Sequence, residues 1–458
     1  MESNPLLQYI ELYKANRELL DRGSAPAMNA LRSRACGILE SCRLPRKGSE
    51  NYEHTDLDAI LAPDYGVNVA RVPMKINPAE SFNCRVPNMS TSLFFLLNDA
   101  FAATDLSLRK MPEGVLCGSL REILKSHPEV ARYYGSAAEP ENPLVALNTL
   151  LAQDGFVVYL PDGVQLERPI QLINILKSEM PLMAPRRILV VAGRDVKACV
   201  LVCDHTQNQE QDYLSLSTVE IICGPYSRID YYDLEESSPR TQRLTALYAK
   251  LQEGADLLVD GITLHNGTTR NEYYVTTCGE HCRLELLGMG ILNGTRRLET
   301  YSLLRHETPR CKSNELFKYV VDDEAVGSFS GRIYVAPGSV KTEAYQANRN
   351  IVGQPSARMF SKPQLEIYND DVKCSHGTAI GQLDENQIFY MRSRGLSEET
   401  ARTLLKQAFM ADVIDGVRLP SLRDRLRMLV EMWFSGKGAD SGCAGCNPEE
   451  QSADGCRL

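Results

Sequence analysis

A thiol and an imidazole stand two residues apart in the run Asp370-Asp371-Val372-Lys373-Cys374-Ser375-His376-Gly377. If that run is extended, positions i and i+2 share a face, so Cys374 and His376 present a sulfur and a nitrogen to the same side. Such a pair suits a soft metal. The acidic residues ahead and Gly377 behind mark a strand that ends in a turn, where a metal or a second protein can reach the side chains. The competing reading is two packed core residues, because a single pair does not fill a four-coordinate site.

Three other groups carry ligand-type residues. Cys278-Gly279-Glu280-His281-Cys282 holds two thiols around a histidine, and His306 precedes Cys311 by five residues. Neither has the second half that a zinc site requires, and the Gly-Glu-His centre of the first reads as a turn. Near the carboxy terminus, Cys443 and Cys446 form a C-x2-C with Cys456 beyond it, a metal pattern without a fourth ligand. Cys199, Cys203 and Cys223 lie in apolar strand-like runs, where a thiol acts as a small hydrophobe.

The elements that must position these residues change character along the chain. Residues 5–42 have helical apolar spacing with a break near Gly23 and Pro26, and further helices are expected over 91–103, 120–125 and 144–153. Residues 1–153 therefore read as a mostly helical amino-terminal domain. From Asp154 onward, short β-branched and aromatic runs follow one another with polar or glycine-containing turns and no helix-length segment. This texture over 154–394 suits a sandwich, a barrel or a parallel β-helix, and periodicity does not choose among them. Helices return at 395–434: Ser397 caps the first, and the second sets Leu422, Leu426, Leu429, Val430 and Trp433 against Arg423, Arg425 and Arg427, an arginine side read as solvated. Residues 435–458, rich in Gly, Ser, Asp and Glu, read as a disordered tail.

The 458 residues are 43% hydrophobic and 24% charged, the balance of an ordinary globular protein. A net charge of −9 argues against nucleic acid as partner, since phosphates require clustered Lys and Arg. Fourteen cysteines in so long a chain lack the density of a disulfide framework. With no secretory signal pattern and no long apolar span, the expected location is cytoplasmic and off the membrane. The chain lacks G-x-x-x-x-G-K-[ST], so no nucleotide is expected to bind directly.

Several blocks in order resemble one family. They are Gln346-Ala347-Asn348-Arg349-Asn350, Ser361-Lys362-Pro363-Gln364-Leu365-Glu366-Ile367, the 370–377 run, and Phe389-Tyr390-Met391-Arg392-Ser393-Arg394-Gly395. Together they resemble the signature of the SufB/SufD family, scaffold subunits of iron-sulfur cluster assembly, and the Cys-Ser-His-Gly form is similar to its SufD branch. SufB-type chains carry a cysteine where Met391 stands, and a thioether is a poor substitute for a thiolate. Residues 45–57 resemble the amino-terminal block of the family, with Tyr52 where tryptophan is common and His54, read as solvated, in place of an aromatic residue. Asp154 to Val164 is similar to the block at entry to the core.

The resemblance implies a right-handed parallel β-helix flanked by helical amino- and carboxy-terminal domains, a mainly β protein. It implies a non-catalytic subunit that pairs with a SufB-like scaffold and, through its carboxy-terminal helices, with SufC-like ABC ATPases. Cys374 and His376 are then interface ligands for iron or a nascent iron-sulfur cluster, held transiently; the sequence leaves flavin open. The last coil of a β-helix exposes an unpaired edge, so the isolated chain is expected to self-associate rather than stay monomeric, with a homodimer as one outcome the sequence leaves open. Two other readings stand beside this one: a β-helix carbohydrate-active enzyme, against which the single tryptophan weighs as a shortage of sugar platforms, and a purely architectural subunit.

Overall fold

Runs of about ten residues from Gly155 onward, each with one face apolar, alternate between two sheets and stack coil upon coil. The computed structural model describes residues 4–72, 91–104 and 111–436. Within them, eight coils form a parallel β-solenoid, from Gly155–Leu160 paired with Leu182–Ala192 to the terminal strands Arg358–Ile367 and Lys373–Gly381. Each strand is in register with its counterpart in the next coil, so inward positions form columns. One such column runs Ala198, Ile229, Leu257, Leu284, Ser313, Ala344 and Cys374; its neighbour runs Val200, Tyr231, Val259, Leu286, Glu315, Gln346 and His376. Of the three β architectures that periodicity left open, the parallel solenoid is the one present.

The amino-terminal helices Leu6–Arg22 and Pro26–Ser41 break at Gly23, as their spacing predicts, and Leu120–Ser126 and Pro143–Leu151 are also helical. The helix expected over 91–103 is wrong. Ser92–Leu97 and Ala100–Ala102 form an antiparallel pair, and the first adds in parallel to Ile170–Leu176. Phe94, Phe95, Leu96 and Leu97 are buried on both faces, and an apolar run of this kind gives no period to separate helix from strand.

Polar residues also enter the lumen. Arg243 donates to both carboxylate oxygens of Asp233, at 2.8 and 2.7 Å, and to Asp204 at 2.7 Å; Arg186 reaches Asp204 at 2.9 Å. Burial works to raise the Asp204 carboxyl, but Arg243 and Arg186 outweigh it and hold it below the usual range. Deletion of one member of such a network costs about 3–5 kcal/mol, because it strands a buried charge.

The strands end at Gly381, and a helix, Glu385–Ser393, begins before residue 395. It carries Phe389-Tyr390-Met391, the block read at first as part of the strand-rich core. Helices Glu398–Gly416 and Pro420–Phe434 then fold back over the outer face of one sheet. Met410, Val413, Ile414, Leu426 and Val430 pack there with Leu258, Ile262, Leu287 and Val320, and Trp433 Nε1 donates to Leu264 O at 3.0 Å. Arg425, expected on a solvated side, is buried beside Leu422 and Leu426. Position 425 falls three residues after Leu422 and four before Leu429, so it shares the helix face that packs on the sheet. The tail beyond residue 436, with Cys443, Cys446 and Cys456, lies outside the described residues.

Candidate functional site

Among the described residues, the terminal strand Lys373–Gly381 pairs on one side only, with Glu343–Val352, and leaves the end of the solenoid open. Cys374 and His376 are both inward-register residues of this strand, as the i, i+2 spacing predicts. Their surroundings differ. Cys374 stacks on Ala344, is half-buried and packs against the apolar core, and burial pushes its thiol above the ordinary range. His376 stacks on Gln346 with its imidazole exposed at the mouth.

Beneath His376 the lumen turns from apolar to polar. Leu286 is followed by Glu315, Gln346 and then the histidine. Gln346 Nε2 donates to Glu315 Oε2 at 2.6 Å, and the remaining side-chain oxygens of both residues are buried without hydrogen-bond partners among the described residues. Burial pushes the Glu315 carboxyl up to about 7, with Ser302 and Gln346 pulling the other way. Room for this pair comes from Gly331 on the facing sheet, where a Cβ would lie 2.4 Å from Gln346 Nε2. Thr378 on the terminal strand donates to Ser361 Oγ at 2.7 Å and ties the two sheets together over the opening. Residue types place Gln346 in a motif and give no sign of Glu315 beyond an acidic residue at an inward strand position, in the polar-apolar pattern Ser313-x-Glu315-x-Phe317.

Around the mouth, Tyr345, Phe360, Ile367, Tyr368, Ile380, Phe389 and Tyr390 expose aromatic and aliphatic surface. A sheet edge with unpaired backbone groups and an apolar rim is the usual form of a docking surface.

The chain matches two family descriptions, the SufBD core domain of SUF system FeS cluster assembly over residues 174–409 and the SufBD protein N-terminal region over residues 3–172. This chain belongs to the SufBD family. It is 31% identical to an iron-sulfur cluster assembly SufBD family protein of Synechocystis, over 87% of this chain and 89% of that one. It is also similar to the iron-sulfur cluster assembly protein SufD of Escherichia coli, at 34% over 37% of this chain and 39% of that one, and to SufD of Bacillus subtilis, at 23% over 76% and 80%. The SufBD chain is thus an iron-sulfur cluster assembly protein of the SUF system.

The amino-terminal block of this SufBD chain is structural, as its reading proposes. Tyr52 donates to Glu272 Oε1 at 2.7 Å while the Arg270 guanidinium lies 3.7 Å over its ring. His54 is a correction: it is half-buried and stacks on Phe360 with ring centroids 3.9 Å apart, which holds the block against the terminal coil. The histidine fills the aromatic position by its ring plane rather than by its charge. The clusters at Cys278–Cys282 and His306–Cys311, separate in sequence, come together on adjacent coils. Among the described residues, no three His, Cys, Asp or Glu side chains are arranged to hold a metal ion. No described helix is long and apolar enough to cross a membrane.

Proposed function

We propose that this chain is a SufD-type, non-catalytic subunit that pairs through the open end of its solenoid with a SufB-like subunit, and that His376 offers an interface ligand to iron or a nascent cluster. The observation that carries this is the exposed imidazole at the mouth of an open coil, above a polar column and inside an apolar rim. Neutral imidazole binds iron without adding charge, and a ligand set left incomplete by one chain is completed by a second. Cys374 is the companion position; its desolvation disfavours the thiolate, so it serves as a ligand only where a cation offsets that cost. The iron or cluster is cargo, transiently held.

The energy source is an ABC-type, SufC-like ATPase on the carboxy-terminal helices Glu398–Gly416 and Pro420–Phe434. These helices cover an apolar sheet face, so a deletion from Gly395 exposes Leu258, Ile262 and Val320 and confounds the contact test; substitutions at exposed positions such as Leu404 and Met428 keep the core covered. The complex works in the cytoplasm, away from membrane and nucleic acid.

Affinity purification of the chain from its own cells tests this reading. Recovery of an ABC-type ATPase and a second solenoid subunit is the expected result; a chain that comes down with neither, under gentle low-salt conditions, refutes it. When purified alone, the chain is expected to self-associate through the free edge of Lys373–Gly381. Light scattering at tens of micromolar (about 50 μM) reads this directly, and a strictly monomeric mass counts against the edge as a docking surface.

A further inference from the structure

Cys282 and Cys311 each stand one residue before a register pair, Arg283 and Lys312, and Lys312 N donates to Cys282 O at 2.9 Å. The two cysteines therefore stack on adjacent coils. Neighbouring strands lie about 4.8 Å apart, inside the roughly 4.4–6.8 Å Cα window that a disulfide requires. Their side chains also converge, since Cys282 Sγ is 3.0 Å and Cys311 Sγ 3.4 Å from the same Gly279 carbonyl oxygen. Both are buried, as free thiols, at the turn behind Glu280 and His281. The corresponding positions one coil below and one above are Ala255 and Thr342, so the stack offers no alternative thiol. The nearby Cys278 is exposed and directs its sulfur to Thr276 O at 3.8 Å.

The partners of the two sulfurs are unequal. Cys282 lies within 3.1 Å of Gln252 O as well as near Gly279 O, and the neighbouring Cys311 sulfur, together with burial, holds its thiol up. Cys311 is flanked by Thr308 Oγ1 at 3.4 Å, by Pro309 O at 3.5 Å and by His306, whose Nε2 is 2.8 Å from Ser313 Oγ; the neighbouring Cys282 thiol pulls the Cys311 thiol down against its burial. A thiol pair with one member favoured as thiolate is the arrangement that oxidises stepwise.

We propose that Cys282 and Cys311 form a reversible redox site, at which hydrogen peroxide converts two thiols to a disulfide that ties adjacent coils of the solenoid. The Cys311 thiolate attacks one peroxide oxygen; the O–O bond breaks, Cys311 becomes a sulfenic acid, and the released hydroxide takes up a proton to leave as water. The Cys282 sulfur then attacks the sulfenic sulfur, the S–O bond breaks, and hydroxide leaves with the Cys282 proton as a second water. Two thiols have lost two electrons and two protons, and one peroxide has taken them up. Burial selects a small oxidant over glutathione disulfide, and the bridge lies two coils beneath the mouth that carries His376.

Peroxide treatment of the full chain, alkylation in denaturant and non-reducing peptide mapping by mass spectrometry test this. The expected product is a Cys282–Cys311 linked peptide that dithiothreitol abolishes, with a thermal midpoint that rises on oxidation and returns on reduction. In Cys282→Ser, dimedone is expected to trap Cys311 as its sulfenic adduct. Recovery of both cysteines as alkylated thiols after peroxide, or linkage of either to Cys278, overturns the proposal; the wild-type map decides alone if the variant fails to fold.

Discussion

Complexes assembled with His376→Ala are expected to form in normal yield and to carry several-fold less iron and acid-labile sulfide than wild type. The side chain is exposed, so its removal opens no cavity, and alanine keeps the backbone of Lys373–Gly381 in its ladder with Glu343–Val352. What is lost is one of few fixed ligands in a site shared between chains. Loss even of a residue that supports a ligand costs on the order of 10–100-fold in metal affinity, so loss of the ligand itself should exceed that range. Cys374→Ser is expected to have the smaller effect, because that thiol is half-buried against the core and its ionisation is disfavoured. Iron and sulfide analysis of the purified complexes, matched for subunit content, separates the two. If His376→Ala complexes hold their full complement of both, the interface-ligand reading fails and an architectural subunit remains.

Much of this arrangement was legible in residue types, and the places where it was not share a cause. Cys374 and His376 were found because a strand has period two and both residues carry unmistakable chemistry. The solenoid was not separable from a sandwich, because its coils differ in length: register partners are 27 residues apart between Asp256 and Arg283 but 31 apart between Lys312 and Glu343. Stacking tolerates turns of unequal length, so the repeat exists in space without a fixed period in sequence. The same irregularity hid the meeting of Cys282 with Cys311. Glu315 and Gln346 escaped for a different reason. A buried acid in a strand looks like a solvated one until the facing sheet is known, and Gly331, which makes space for the pair, carries no sign of that duty.

Asp260 gives the largest gain in stability expected from a single substitution. It sits on the outer face of Asp256–His265 between Tyr232 and Leu287, under the carboxy-terminal helices, and neither carboxyl oxygen has a hydrogen-bond partner among the described residues. Burial alone raises its pKa to about 8. A carboxyl with a raised folded value binds its proton longer in the native state than in the unfolded one, so stability falls as pH rises from about 4 to about 8 and is then level. Each pH unit within that window removes about 1.4 kcal/mol, which by pH 7 amounts to roughly 4 kcal/mol relative to acid conditions. Asp260→Asn keeps the shape and removes the ionisation, so its stability is expected to fall less across pH 5–8 than that of wild type. Asp260→Val also removes the stranded polar atoms and suits a strand; it is expected to exceed wild type in stability by a few kcal/mol at pH 8. Glu235 and Glu315, each raised to about 7 by burial, contribute to the wild-type slope as well, so the decisive quantity is the difference between variant and wild type. Denaturant titrations at several pH values measure it. Parallel profiles for wild type and Asp260→Asn would mean that the carboxyl is already ionised in the native protein and that the carboxy-terminal helices rest on the sheet with a charge beneath them.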